Sequence, residues 1–79
     1  MVEVTLEPLT NGMEEATISY WYHEEGDHVE EGGDLVEMTT EEGTFKIQAP
    51  CSGVLGEVYF PEGETVSVGV VLCEIEEEG

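Results

Sequence analysis

The side chains able to do chemistry in this chain are few in kind. His23 and His28 lie among Glu24, Glu25, Asp27, Glu30 and Glu31, which offers imidazole and carboxylate ligands to a divalent metal. The spacing matches neither a calcium loop nor a pair of histidines one helical turn apart, so we read a solvated acidic turn that attracts cations loosely. Cys51 and Cys73 are the only thiols, and their separation is not of the zinc type. They are expected to be reduced, with a mutual disulfide as the alternative. Lys46 is the only side-chain amine or guanidine. No Ser-His-Asp or Cys-His elbow and no phosphate-cradling glycine loop occurs, so catalysis is not expected.

The elements that must position these residues are strands and turns. Gly12, Gly26, Gly32, Gly33, Gly43, Gly53, Gly56, Gly63 and Gly69 interrupt the chain every few residues, with Pro8, Pro50 and Pro61. Between them run short segments rich in Val, Ile, Thr, Tyr and Phe, which predict strands near 2–6, 16–22, 35–39, 44–48, 53–60 and 71–76. Shorter extended pieces are expected around Val29 and Val66. Phe45, Ile47 and Ala49 alternate with Thr44, Lys46 and Gln48, which turns Lys46 outward. Ile18 and Tyr20 share a parity, and Trp21 and the tyrosines are read as core or partial core. Thr40-Glu41-Glu42-Gly43-Thr44 predicts a hairpin, closed by a type I turn on Glu41-Glu42 with Gly43 left-handed and a bulge beside it.

The chain also repeats itself. Shifted by 37 positions, Thr17-Ile18-Ser19-Tyr20-Trp21-Tyr22 falls on Val54-Leu55-Gly56-Glu57-Val58-Tyr59, and Glu25-Gly26-Asp27 on Glu62-Gly63-Glu64. Val29, Gly32, Leu35, Glu37 and Met38 fall on Val66, Gly69, Leu72, Glu74 and Ile75. The two copies cover about 12–42 and 49–79, and units this short bury their apolar faces only against each other. A single 1–79 domain with a pseudo-two-fold axis is expected, as a sandwich or flattened barrel. In that alignment Glu41 and Glu42 meet Glu78 and Gly79, so one end of the domain carries a turn and the other the chain terminus.

With 79 residues the core is modest. Twenty acidic residues against one basic residue give a formal charge of −19, which excludes nucleic acid and anionic membrane as partners. The charge is read as a solubilising surface, with steering toward a basic protein partner as the sharper alternative. There is no basic, apolar leader and no run long enough to span a bilayer, so a soluble, cytoplasmic protein is expected.

Three stretches then resemble the lipoyl/biotinyl carrier-domain family across roughly 8–76. They are Met13-Glu14-Glu15-Ala16-Thr17-Ile18 followed by Trp21; Glu25-Gly26-Asp27-His28-Val29-Glu30-Glu31-Gly32-Gly33-Asp34-Leu35-Val36-Glu37-Met38; and Ala49-Pro50-Cys51-Ser52-Gly53-Val54-Leu55 with Glu62-Gly63-Glu64-Thr65-Val66 and Gly69. The resemblance implies an all-β flattened barrel, a barrel-sandwich hybrid of two four-stranded antiparallel sheets with quasi-two-fold symmetry. It also implies an attachment lysine at the hairpin tip, in an Asp-Lys-Ala context for lipoyl domains and a Met-Lys context for biotinyl ones. A gapless alignment puts Glu41 at the Asp position, Glu42 at the Lys position and Gly43 at the Ala position.

The attachment is an amide made by a lysine ε-amine, which a carboxylate cannot form. Glu42 is therefore expected to be unmodified, with Lys46 or the N-terminal amine the only substitutes. The function expected is a lipoyl-like domain without its attachment lysine, acting as an interaction or scaffolding module with no cofactor and no enzymatic activity. Its partner would be a lipoate- or complex-associated protein. The alternative is a lipoate- or biotin-bearing carrier of a 2-oxo acid dehydrogenase-type complex, with attachment elsewhere or the lysine altered. A structural module of a longer transport or complex component is a third reading.

Overall fold

The computed structural model describes residues 1–8 and 10–78, and among these it forms eight β-strands and no helix. They are β1 (Val2–Thr5), β2 (Glu15–Trp21), β3 (His28–Val29), β4 (Asp34–Thr40), β5 (Gly43–Gln48), β6 (Gly53–Val58), β7 (Thr65–Ser67) and β8 (Val71–Glu77). Two four-stranded sheets result, ordered β1-β8-β6-β3 and β5-β4-β2-β7, with every pairing antiparallel. This is the two-sheet barrel-sandwich that the resemblance implied.

The 37-residue offset is a symmetry operation in space. It carries the start of β4 at Asp34 onto the start of β8 at Val71, and the order of one sheet onto that of the other. Backbone bonds repeat with it. Gly26 N–H donates to Leu55 O at 2.8 Å, and Gly63 N–H donates to Ile18 O at 2.7 Å. Gly26 and Gly63 both adopt φ of 94°, the positive region in which glycine avoids the Cβ penalty. Two carboxylates act as a matched pair: Glu62 Oε2 accepts from Trp21 N–H at 2.8 Å and Glu25 Oε2 from Val58 N–H at 2.7 Å. These backbone donors follow an interruption of strand pairing, and the carboxylates supply their acceptors.

The core comprises two apolar clusters, each drawing residues from both sheets. Leu35, Leu55, Cys73 and Ile75 anchor the first, while Leu6, Ile18, Val36, Met38 and Leu72 anchor the second. Trp21 and Ile47 pack against both clusters and join them. Among the described residues no polar or charged side chain is buried, so the acidic complement lies at the surface.

Two local expectations are corrected. Tyr20 does not share the inward parity of Ile18: the β2–β4 register shifts between Ile18 and Tyr20, which turns Tyr20 outward to 51% exposure and brings Trp21 in. The second copy does the same between Leu55 and Val58, and Tyr59 is likewise exposed. An extra residue on one strand reverses every later side chain, which plain alternation cannot anticipate. At the hairpin tip the register runs Thr39↔Thr44 and Thr40↔Gly43 with no shift, while the irregularity lies at the other end, between Asp34 and Val36. Gly43 at φ of 138° absorbs the change of direction without an extra residue.

The domain measures 37 × 21 × 18 Å and its sequence carries −19. At 10 mM salt the Debye length is about 30 Å, beyond the two shorter dimensions, and at 1 M it is about 3 Å. Raising salt over that range is therefore expected to increase the melting temperature by several degrees. A calorimetric melting temperature that stays flat with salt would refute this.

Candidate functional site

The hairpin between β4 and β5 is the protrusion that sequence reasoning singled out. Its strands are held by paired residues from Val36↔Ile47 to Thr40↔Gly43, with Val36 and Met38 buried as anchors. Two residues, Glu41 and Glu42, make the turn, and both are exposed. Thr40 closes it with its hydroxyl, accepting from Glu42 N–H at 3.1 Å and lying 3.4 Å from the Gly43 carbonyl oxygen as a donor. Sequence reasoning missed this clasp, although a threonine two residues before the apex is a known turn-former. The tip thus presents two carboxylates and no amine. Beside it lies an open groove of about 520 Å³ bounded by the 10–17 segment, Thr39 to Glu42 and Thr65.

Lys46 is not at the tip. It pairs with Glu37, three positions in from Gly43 and so about 10 Å down the strand. Its Nζ lies 3.8 Å from Asp34 Oδ2 and 6.0 Å from the centroid of the Tyr22 ring, and the side chain is half exposed. Tyr22 Oη donates to Glu37 Oε1 at 3.4 Å. Burial pushes the Tyr22 phenol up, Lys46 opposes that shift and Glu37 reinforces it. In the other copy Tyr59 meets Glu74, whose hydrogen bond, followed by burial, pushes the phenol up to about 12.

The remaining candidates separate. His28 Nε2 pairs with Glu78 Oε1 near the far end of β8, and no three His, Cys, Asp or Glu side chains converge as a metal site among the described residues. The expected match of Glu42 with Gly79 falls outside the described residues. Cys51 and Cys73 are free and buried in the same cluster, not disulfide-bonded. Burial pushes both thiols up, Cys73 to about 12 from its ordinary 9.0.

A buried thiol whose folded pKa exceeds its unfolded one contributes stability that is intact below pH 9 and lost as pH rises toward 12. Urea midpoints are therefore expected to fall from pH 9 upward, with the phenols adding above pH 10. Cys73→Ala, though less stable at neutral pH, should be flatter between pH 9 and 10. An equally steep fall in that variant would refute the assignment.

A family model described as "Biotin-requiring enzyme", the biotin/lipoyl model, matches residues 2–75. The chain belongs to the biotin/lipoyl family. This biotin/lipoyl-family domain is 38% identical over 76 residues, 96% of its length, to the dihydrolipoyllysine-residue succinyltransferase component of the 2-oxoglutarate dehydrogenase complex of Rickettsia conorii. It is 31% identical over 77 residues, 98% of its length, to the lipoamide acyltransferase component of the branched-chain alpha-keto acid dehydrogenase complex of Bacillus subtilis. The chain spans 19% and 18% of those two relatives. Its fold superposes on the solution structure of the lipoyl domain of the 2-oxoglutarate dehydrogenase complex from Azotobacter vinelandii with a TM-score of 0.82 at 23% identity, covering 100% of both chains. No helix among the described residues is long and apolar enough to cross a membrane.

Proposed function

We propose that this domain works as the lipoyl-type module of a 2-oxo acid dehydrogenase-type assembly, with the apex of its hairpin unmodified. The similarity to acyltransferase components of such complexes supports the first half of this reading. It favours a carrier role over a free-standing scaffold. The second half rests on Glu42, the exposed apex residue that the resemblance puts at the family's attachment position. A lipoyl amide needs a nucleophilic amine there, and the residues of the tip do not fit that linkage. The domain would then keep the docking surface of a lipoyl module, for protein partners of the complex, without the swinging arm.

The carrier reading is the second one, and the same similarity is its support. It requires attachment away from the apex, or an apex lysine altered in this sequence. Lys46, the one side-chain amine, lies down the strand between Asp34 and Tyr22. A ligase that reads the turn would meet it at the wrong height. Intact-mass measurement of the protein from its native cells distinguishes the two. An unmodified mass is expected, and a lipoyl or biotinyl increment would replace the proposal with the carrier reading.

A further inference from the structure

Where the chain crosses between the two sheets lies a second groove, of about 530 Å³, that shares no residue with the hairpin tip. Its lining includes Tyr20, Trp21, His23, Glu24, Glu25 and Glu62. The pseudo-two-fold relation makes its furnishing informative. Trp21 and Val58 are counterparts, as are Glu25 and Glu62, and the two carboxylates perform the same backbone clasp. Tyr20, however, corresponds to Glu57, so the second copy makes the same crossover with Glu57-Val58 where the first has Tyr20-Trp21. The fold therefore does not demand two aromatic rings at this place.

The rings are held ready. Tyr20 is turned outward by the register shift and meets Tyr22 edge to face, with centroids 5.0 Å apart. The indole N–H of Trp21 is spent on the Phe60 carbonyl at 2.9 Å, which leaves the groove a ring surface without a donor. Glu25 and Glu62 each commit one oxygen to the backbone, and Glu24 is exposed. Rings beside three carboxylates, with His23 the one basic side chain in the lining, suit a guanidinium or ammonium group. The chain already contains such a contact next door, where its single lysine lies over Tyr22 within reach of Asp34.

We infer that this crossover groove docks a basic linear segment of a partner protein, seating an arginine or lysine against Tyr20 and Trp21 with its charge facing Glu24 and Glu62. The inference stands whether or not the hairpin apex is modified, because the two places share no residue. The probe is a hexa-arginine peptide at about 0.15 M salt, where screening suppresses diffuse attraction, read by emission of the sole tryptophan and by amide NMR shifts. Saturable binding is expected, with shifts concentrated at 20–25 and 58–62. Tyr20→Ser combined with Glu24→Gln should weaken it at least fivefold. Glu76→Gln, which removes the same charge from the exposed side of β8, should weaken it less than twofold. Equal weakening by both variants, shifts centred elsewhere, or no saturable binding by the folded protein would each overturn the inference.

Discussion

Glu42→Lys is expected to convert a hairpin that a lipoate ligase leaves untouched into one that it modifies in the greater part of molecules. The substitution is structurally mild. Position 42 is exposed and has no positive φ, and the clasp from Thr40 takes its backbone N–H, not its side chain. Lysine is therefore accommodated without strain, while the formal charge falls from −19 to −17. The experiment incubates the folded wild type and the variant with ligase, lipoate and ATP and compares intact masses. Lys46→Gln in the variant background keeps the readout specific to the apex. A wild-type protein that gains the group at Lys46 would refute the expectation, as would a folded variant that remains unmodified.

A second large effect is expected from a single methyl group. A Cβ at Gly53 would lie 2.1 Å from the Glu76 carbonyl oxygen, and that obstacle is backbone in a paired strand. Its pseudo-symmetric counterpart is Ala16, buried and accommodated in β2. Gly53→Ala must push β6 away from β8 or distort one of them, a cost of about 3 kcal/mol on the scale of overpacked cores. A domain of this size has on the order of 4–12 kcal/mol in total, and each kcal/mol moves the melting temperature by about 4–8 °C. The variant is thus expected to melt more than 10 °C lower, by circular dichroism. Gly56→Ala should cost less, because its nearest contact, at 3.0 Å, is the flexible end of Met1. A Gly53→Ala protein within 3 °C of wild type would contradict the close approach of the two strands.

Much of this architecture was legible because glycine and apolar residues carry local information. Gly26 and Gly63 mark turns that need positive φ, and the alternation from Phe45 to Ala49 gives β5 its inner and outer faces. The match of Leu35, Glu37 and Met38 with Leu72, Glu74 and Ile75 exposed the symmetry before any strand was placed. Legibility ended where a property belongs to two strands at once. The outward turn of Tyr20 depends on how β2 registers with β4, and no pattern within 16–22 encodes that shift. The intolerance at Gly53 depends on an oxygen 23 residues away. At the candidate site the apex residues could be read from order alone, whereas the crossover groove could not. It arises only when residues 20–25 and 58–62 meet.

The strand order has a consequence for how such a domain can exist at all. β3, from the first copy, completes the sheet built on β6 and β8 of the second, and β7, from the second, completes the sheet built on β2 and β4 of the first. Each copy gives away its shortest strand and receives its partner's, so neither possesses a finished sheet. A solitary copy could satisfy its edges only by trading that strand with another molecule, as in a domain-swapped dimer. This chain has the arrangement of such a dimer tied into one polypeptide, and fragments severed between the copies should regain the two-sheet fold, read by circular dichroism, when mixed.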